Sequence, residues 1–170
     1  HYMCKESLKA YLFAQDEKQY ADELAKATID KIIQQQELNE DETKFAEKNA
    51  YKIIDALESV KICDPAIGSG AFPMGMLQEI FKAKTTLDLT LDKVEVKKNI
   101  IQHSIYGVDI EKGAVDIARL RFWLSLVVDE DEPQPLPNLD YKIMQGNSLL
   151  ESFEDVDLSN LLDENKTMIN

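Results

Sequence analysis

Asp64-Pro65-Ala66-Ile67-Gly68-Ser69-Gly70-Ala71-Phe72 is the stretch on which the fold turns. It follows a short apolar segment, Val60-Lys61-Ile62-Cys63, and leads into an amphipathic run from Met74 to Phe81. Strand, glycine loop and helix in that order open a nucleotide-type binding unit. Gly68 and Gly70 let the backbone turn tightly and come close to a ligand. Asp64 at the strand end is unusual for a phosphate loop, because the helix N-terminus beyond it attracts anions. A carboxylate there suits a ligand bearing an ammonium or a sulfonium. The dinucleotide fingerprint needs a third glycine at position 73, where this chain has Pro73. A P-loop needs four residues between its glycines and then Lys-Ser or Lys-Thr, and neither is present. Pro73 fits the first turn of a helix, where a missing N–H costs little. The same letters also fit a glycine turn that holds no ligand.

Around this unit the apolar pattern alternates. Helical spacing is read over His1 to about Phe13 (Met3, Leu8, Tyr11, Leu12) and over Gln15 to Leu38, with a stripe of Tyr20, Leu24, Ala27, Ile29, Ile32 and Ile33. Asn39-Glu40-Asp41-Glu42 reads as an acidic break, and Glu42 to Glu58 as a helix with Phe45, Ala46, Ile53, Ile54 and Leu57 inward. Strands are expected at Val60–Cys63, Ser104–Val108 and Tyr141–Gln145, and helices at Gly70–Ala83, Lys93–Gln102 and Gly113–Val128. Thr85 to Asp92 reads as a loop, and so does Asp129 to Asn138, with Pro133, Pro135 and Pro137. Leu149 to Asn170 is acidic and weakly patterned. Strands alternating with helices imply a parallel α/β sheet with right-handed crossovers.

Composition narrows the class. The chain has 170 residues and is 44% hydrophobic, enough for one domain with a real core. No apolar run approaches the roughly 20 residues needed to cross a membrane, and no signal peptide opens the sequence. Cys4 and Cys63, far apart and without metal-ligand spacing, suit a reducing cytoplasm. Cys63 is expected to be a core thiol. The net charge of −13 makes the chain a poor DNA binder by itself, since DNA affinity comes largely from phosphate neutralisation. A start at His1-Tyr2-Met3 and an end in a polar stretch at Asn170 suggest a piece of a longer protein.

Two further constellations lie at expected strand ends. Asp109, in Ile105-Tyr106-Gly107-Val108-Asp109-Ile110, is an acid that accepts ribose hydroxyls in nucleotide-binding α/β folds, with Ile110 offering an apolar face to a base. Its distance from the glycines exceeds the usual twenty or so residues, with Lys82 to His103 reading as an insertion. The alternative is that Asp109 caps the next helix. In that helix Leu120, Trp123, Leu124 and Val127 are expected in the core, and Arg119 and Arg121 solvated or paired. Gly146-Asn147-Ser148-Leu149 follows the third strand, and an Asn-Ser turn is its plain reading.

D-P-A-x-G-S-G-x-F resembles motif I of S-adenosylmethionine-dependent DNA adenine-N6 methyltransferases, above all the methylase part of type I and type II restriction–modification enzymes. The helix Ala114 to Leu124 resembles the family pattern, and Gly146-Asn147-Ser148-Leu149 matches its G-[DN]-S-L position. The likeness is good over Ser59 to Leu150 and plausible over the first dozen residues. It implies a Rossmann-like class I methyltransferase sheet, incomplete, after an N-terminal helical segment at 1–58; residues 59–170 would be the cofactor-binding subdomain. It implies S-adenosylmethionine contacts from Asp64, Pro65, Ala66, Gly68, Ser69, Gly70 and Phe72, from Asp109 and Ile110, and from Asn147 and Ser148, with Asn147 near the adenine. His1 to Leu8 looks like the helix after the family's Tyr-Thr-Pro motif, which gives the motif order of the gamma class of amino-methyltransferases.

The family's catalytic Asn-Pro-Pro-Tyr, which stacks on and hydrogen-bonds a flipped base, has no counterpart here. Neither cysteine follows a proline, so cytosine-C5 chemistry has no nucleophile. The resemblance therefore implies the cofactor-holding portion of a DNA methyltransferase, cut before its catalytic motif. DNA would be contacted by other parts of the parent, and the piece alone would bind cofactor weakly or not at all. RNA or protein-amide methylation, and a non-catalytic scaffold with this fold, are the alternatives.

Overall fold

The computed structural model describes residues 1–15, 22–128 and 138–150, and the backbone of two short strands at 152–153 and 156–157. In chain order the elements are α1 (Tyr2–Gln15), α2 (Glu23–Gln34), α3 (Glu40–Ser59), β1 (Ile62–Asp64), α4 (Ala71–Leu87), α5 (Lys93–His103), β2 (Ile105–Asp109), α6 (Lys112–Val127), β3 (Ile143–Gln145), β4 (Ser152–Phe153) and β5 (Val156–Asp157). Strands β1, β2 and β3 form a parallel sheet in that order, and β4 pairs with β5 antiparallel. The expected parallel α/β sheet is present.

Local chemistry sets the helix ends. Asn39 opens α3 with a capping box: its side chain accepts the Glu42 N–H at 2.9 Å, and Glu42 Oε2 accepts the Asn39 N–H at 2.8 Å. Lys31 of α2 donates to the same Glu42 oxygen at 2.7 Å, tying the two helices together. What reads as an acidic break is thus a helix start. Asp92 caps α5 by accepting the Glu95 N–H. Helix α4 runs on to Leu87, into the expected loop, because Lys84 in its last turn is buried and held by Glu58 of α3 at 2.6 Å.

Helix α4 packs on β1, α5 on β2, and α6 on β2 and β3; α1, α2 and α3 stack on α4. One apolar core runs from Leu8 and Leu12 through Ile53, Leu57, Leu77 and Ile80 to Phe122 and Ile143. In the sheet Ile62, Ile105, Gly107 and Ile143 are buried against this layer. Alternate strand residues point the other way, and there Cys63 and Met144 are exposed while Tyr106 and Val108 are half-buried.

Several expected core positions are corrected. Cys63 is exposed rather than a core thiol, since it lies on the sheet face opposite the buried Ile62, Ile105 and Ile143. On α6 the buried residues are Val115, Ala118, Phe122 and Leu126, whereas Leu120 and Leu124 are about half exposed and Trp123 and Val127 half-buried. Small Ala118 sets that helical phase, and choosing by size misses it. On α2 the stripe is Ala25, Thr28, Ile29, Ile32 and Ile33; Leu24 and Ala27 are exposed, and Tyr20 falls outside the described residues. Met3 of α1 is exposed. Strand β3 begins at Ile143, not Tyr141, because the Lys142 and Ile143 N–H groups both turn back to Leu139 O. The proline loop lies outside the described residues from 129 to 137, and the acidic C-terminal stretch outside them apart from its start and β4 and β5.

Removing the α3 cap tests this local account. Asn39→Ala should cost about 1 kcal/mol, read as a lower midpoint in chemical denaturation. Lys31, with the Asn39 N–H second, holds the Glu42 carboxyl below the usual range. Its contribution is therefore complete above the ordinary Glu range and fades as pH falls through that range to the depressed value. Asn39→Ala keeps the backbone N–H that Glu42 accepts, so its deficit should stay level across that acid interval, whereas Glu42→Gln should abolish the acid-dependent part.

Candidate functional site

The sheet register sets Asp64 opposite Gly107 and Asp109 opposite Gln145, so the three carboxyl ends lie side by side. Asp64 Oδ1 accepts the Ala66 N–H at 3.1 Å and turns the chain out of β1. Ile67 then pins the loop to β2. Its N–H donates to Val108 O at 3.0 Å, its carbonyl accepts the Gly70 N–H at 2.8 Å, and its buried side chain fills the space where a Cβ on Gly107 would collide. Gly68 and Gly70 have φ of +53° and +78°, a region costly for residues with a Cβ. A Cβ on Gly70 would also crowd Ala118 at 3.2 Å, so this glycine seats the start of α4 against α6. Ile67 and Gly107 were not among the expected site residues. Their sequence signals were a lone apolar residue inside a small-residue loop and a glycine inside a strand.

Asp109 joins two of the loops. Its Oδ2 accepts the Gly68 N–H at 2.8 Å and its Oδ1 accepts the Glu111 N–H at 2.9 Å. These bonds, Glu111 first and Gly68 second, hold its carboxyl below the usual Asp range. Asp109 thus shapes the turn into α6 and also fastens the glycine loop. Each oxygen retains a further lone pair for a ligand.

The third strand end is tied in similarly. Asn147 Oδ1 accepts the Leu149 N–H at 3.0 Å, making the Asn turn, while Ser148 Oγ donates to Pro65 O at 2.7 Å across the cleft. Gln145 Nε2 donates to Ile110 O at 3.1 Å. Arg121 is paired, as expected, and its partner lies in the glycine loop: Nη1 donates to Ser69 O and Oγ at 3.1 and 3.3 Å. Arg119 donates to Ile143 O and pairs with Asp140.

A cleft of about 220 Å³ opens between these ends. Pro65, Ala66, Asp109, Ile110, Asn147 and Ser148 line it, with Gly146 and Leu149. Six expected residues thus meet around one space. Asp64, Gly68, Ser69 and Gly70 shape the loop behind it. Phe72 is set apart, in a separate hollow of about 510 Å³ with Cys4, Met74 and Arg121. A third hollow, of about 360 Å³ by Lys61, Lys84 and His103, adjoins the amino ends of β1 and β2. Open parallel sheets bind ligands at the opposite, carboxyl ends, which favours the first cleft. Among the described residues no group of three or more His, Cys, Asp and Glu converges as a metal site, and no helix is long and apolar enough to cross a membrane.

The Asp109 tie predicts an acid signature. The stability it gives is complete above the ordinary Asp range and is lost as pH falls through that range to the depressed native value. In the folded protein the carboxylate persists below about 3.9, the ordinary Asp value. The Gly68 amide resonance should therefore hold its position through that pH and move only below it. Asp109→Ala should speed hydrogen exchange at Gly68; unchanged exchange would contradict the tie.

The family described as "MmeI, DNA-methyltransferase domain" matches residues 35–157, a span that includes β1, β2, β3 and all three strand-end loops. A protein of Methanocaldococcus jannaschii described as "Putative type II restriction enzyme and methyltransferase" is 34% identical over 157 residues. The alignment takes in 84% of this chain and 13% of that protein, so the chain spans a small part of its relative's length. No solved structure gives a significant match. The family match covers well over half of the sequence, and this chain belongs to the MmeI DNA-methyltransferase domain family.

Proposed function

We propose that this chain is the cofactor-holding part of a restriction–modification DNA methyltransferase that acts on adenine N6. The carrying observation is the convergence of Asp109, Ile110 and Asn147 on one cleft at the carboxyl ends of parallel strands, beside a glycine loop led by Asp64. The donor set fits S-adenosylmethionine. Asp109 would accept the ribose hydroxyls with its remaining lone pairs, the exposed Ile110 would offer an apolar face to adenine, and Asn147, on the same cleft, would hydrogen-bond the base edge. Asp64 and the loop of Gly68, Ser69 and Gly70 would hold the amino-acid end, where a carboxylate suits ammonium and sulfonium charge.

When bound, the cofactor supplies a methyl group already activated by its positive sulfur. This chain's residues hold and orient the donor. Residues 59–170 would form the cofactor-binding part of a Rossmann-like sheet, and 1–58 its helical buttress. With a net charge of −13 the chain is poorly suited to grip phosphates. DNA and the groups that hold the target amine then belong to other parts of a longer, cytoplasmic enzyme. Adenine rests on the likeness of Asp64 to Phe72 and Gly146 to Leu149 to the adenine-N6 enzymes.

Amide NMR with S-adenosylhomocysteine at millimolar concentration reads even weak binding. Shifts should concentrate on Asp64 to Gly70, Asp109 to Glu111 and Gly146 to Leu149, and fall at least tenfold in sensitivity with Asp109→Ala. Equal shifts with ATP, or no S-adenosylhomocysteine binding by the longer gene product, would sink the cofactor reading. Nucleoside mass spectrometry of DNA treated with the longer gene product tests the base: N6-methyladenine is expected, and methylcytosine alone would overturn adenine.

A further inference from the structure

The hollow of about 360 Å³ at the amino ends of β1 and β2 lies at the end of the sheet away from the cleft. Glu58 of α3, Lys61 ahead of β1, Lys84 of α4, and Asn99, His103 and Ser104 at the close of α5 line it. Cations near helix C-termini commonly do no more than offset the carbonyl dipoles, and two bonds here serve that end. Lys61 Nζ donates to His103 O at 2.6 Å, and His103 Nδ1 donates to Asn99 O at 3.1 Å. These bonds do not exhaust the lysines. An ammonium carries three N–H groups; Lys61 gives one to His103 O, and the buried Lys84 gives one to Glu58 Oε1 at 2.6 Å. Ser104 is 1% exposed, and no hydrogen bond among the described residues engages its hydroxyl. A buried hydroxyl left without a partner lowers stability. The hollow thus offers more donors than acceptors, in a chain whose net charge is −13.

We propose that this hollow binds a small oxyanion, either free phosphate or the phosphate group of a small phosphomonoester. The anion's oxygens accept the remaining N–H groups of Lys61 and Lys84 and the Ser104 hydroxyl, and the bonds to the lysines are of the strong, charge-assisted kind. Glu58 is the acidic group that lines the site, and 56% of its side chain is exposed. It turns to solvent as the anion takes its place on Lys84, so the buried ammonium keeps a partner throughout. Two ammonium groups then face the anion with no carboxylate between them. A concave site selects a small ligand over a duplex, and the chain's negative charge disfavours an extended polyanion. The volume lies within the roughly 300–1,000 Å³ usual for small-molecule sites, which leaves room for an organic part beside the phosphate. The hollow and the cleft lie at opposite ends of the strands, so this inference does not rest on the methyl-transfer reading.

Amide NMR of this chain with inorganic phosphate tests the site, with ionic strength held constant by sodium chloride. Saturable shifts should centre on Lys61, Lys84, His103 and Ser104, with a Kd of roughly 1 mM. Lys61→Ala, at an exposed position, should weaken binding about tenfold through loss of one charge-assisted bond. Ser104→Ala should weaken it as well. Glu58→Gln should act in the opposite sense and tighten binding, because the competing carboxylate is gone. In the longer gene product the same variant should gain more in thermal midpoint from added phosphate than the unaltered protein does, since the anion pairs the stranded Lys84. Glycerol 3-phosphate separates the two sources: tighter binding than inorganic phosphate assigns the rest of the hollow to an organic part, and equal binding assigns the site to the free ion. Equal shifts with chloride alone, or an affinity unchanged in both Lys61→Ala and Glu58→Gln, would overturn the proposal. A duplex oligonucleotide that shifts the same amides at lower concentration than phosphate would give the hollow to a DNA backbone and overturn it too. These amides are separate from those of the Asp109 and Asn147 loops, so a failure here is distinct from a failure of the cofactor reading.

Discussion

The Asp109 carboxylate is the fastening on which the candidate site depends. It takes one N–H from its own turn and one from Gly68, forty-one positions back along the chain. Without it the glycine loop would keep Ile67 as its anchor but lose the bond nearest the cleft. Gly107 must lack a side chain for Ile67 to lie flat on β2, and Gly70 must lack one for α4 to approach Ala118. Sequence, backbone geometry and site shape thus meet in four residues, Ile67, Gly70, Gly107 and Asp109.

The N-terminal helices serve this arrangement at one remove. They pack on α4, whose first turn continues the glycine loop. Two charged ties hold that layer: Lys84 to Glu58 joins α4 to α3, and Lys31 to Glu42 joins α2 to α3. Lys84 is nearly fully buried, so deleting Glu58 would strand a charge, an outcome costlier than losing a surface pair. Glu79 shows the same economy under α1, with one oxygen 3.3 Å from His1 Nδ1 and the other without a hydrogen-bond partner among the described residues. The layer positions α4, and α4 positions the loop.

Much of this was legible in the sequence, and the misses share a cause. Asp64, Gly68 and Gly70 announce a turn because their chemistry is local, and so do Asp109 and Asn147 at strand ends. What failed was whatever needs the neighbouring layer. Cys63 reads as buried because a short apolar strand in an α/β pattern is normally covered on both faces, and only the assembled sheet puts it on the face opposite the core, where it is exposed. Leu120 and Leu124 read as core because they are large; the choice between two helical phases was made by Ala118, whose small side chain lets Gly70 come close. Arg121 carried no signal of its own, since its bond to Ser69 spans fifty-two positions.

Polar bonds fix several of the residues that line the cleft, and this bears on how it would bind. Asp109, Asn147 and Ser148 are already hydrogen-bonded inside the protein: Asp109 to Gly68 and Glu111, Asn147 to Leu149 and Ser148 to Pro65. A ligand then meets groups whose rotamers are fixed before it arrives, and their ordering cost belongs to folding rather than to binding. The same wiring makes alanine variants ambiguous, since each removes a ligand contact and a loop tie together. Asp109→Asn separates the two in part. Its amide oxygen still accepts one N–H while its NH₂ cannot accept the other, so one tie survives and the second is lost. If binding falls equally in Asp109→Asn and Asp109→Ala, the carboxylate's bidentate acceptance matters more than the mere presence of a hydrogen-bonding side chain at the end of β2.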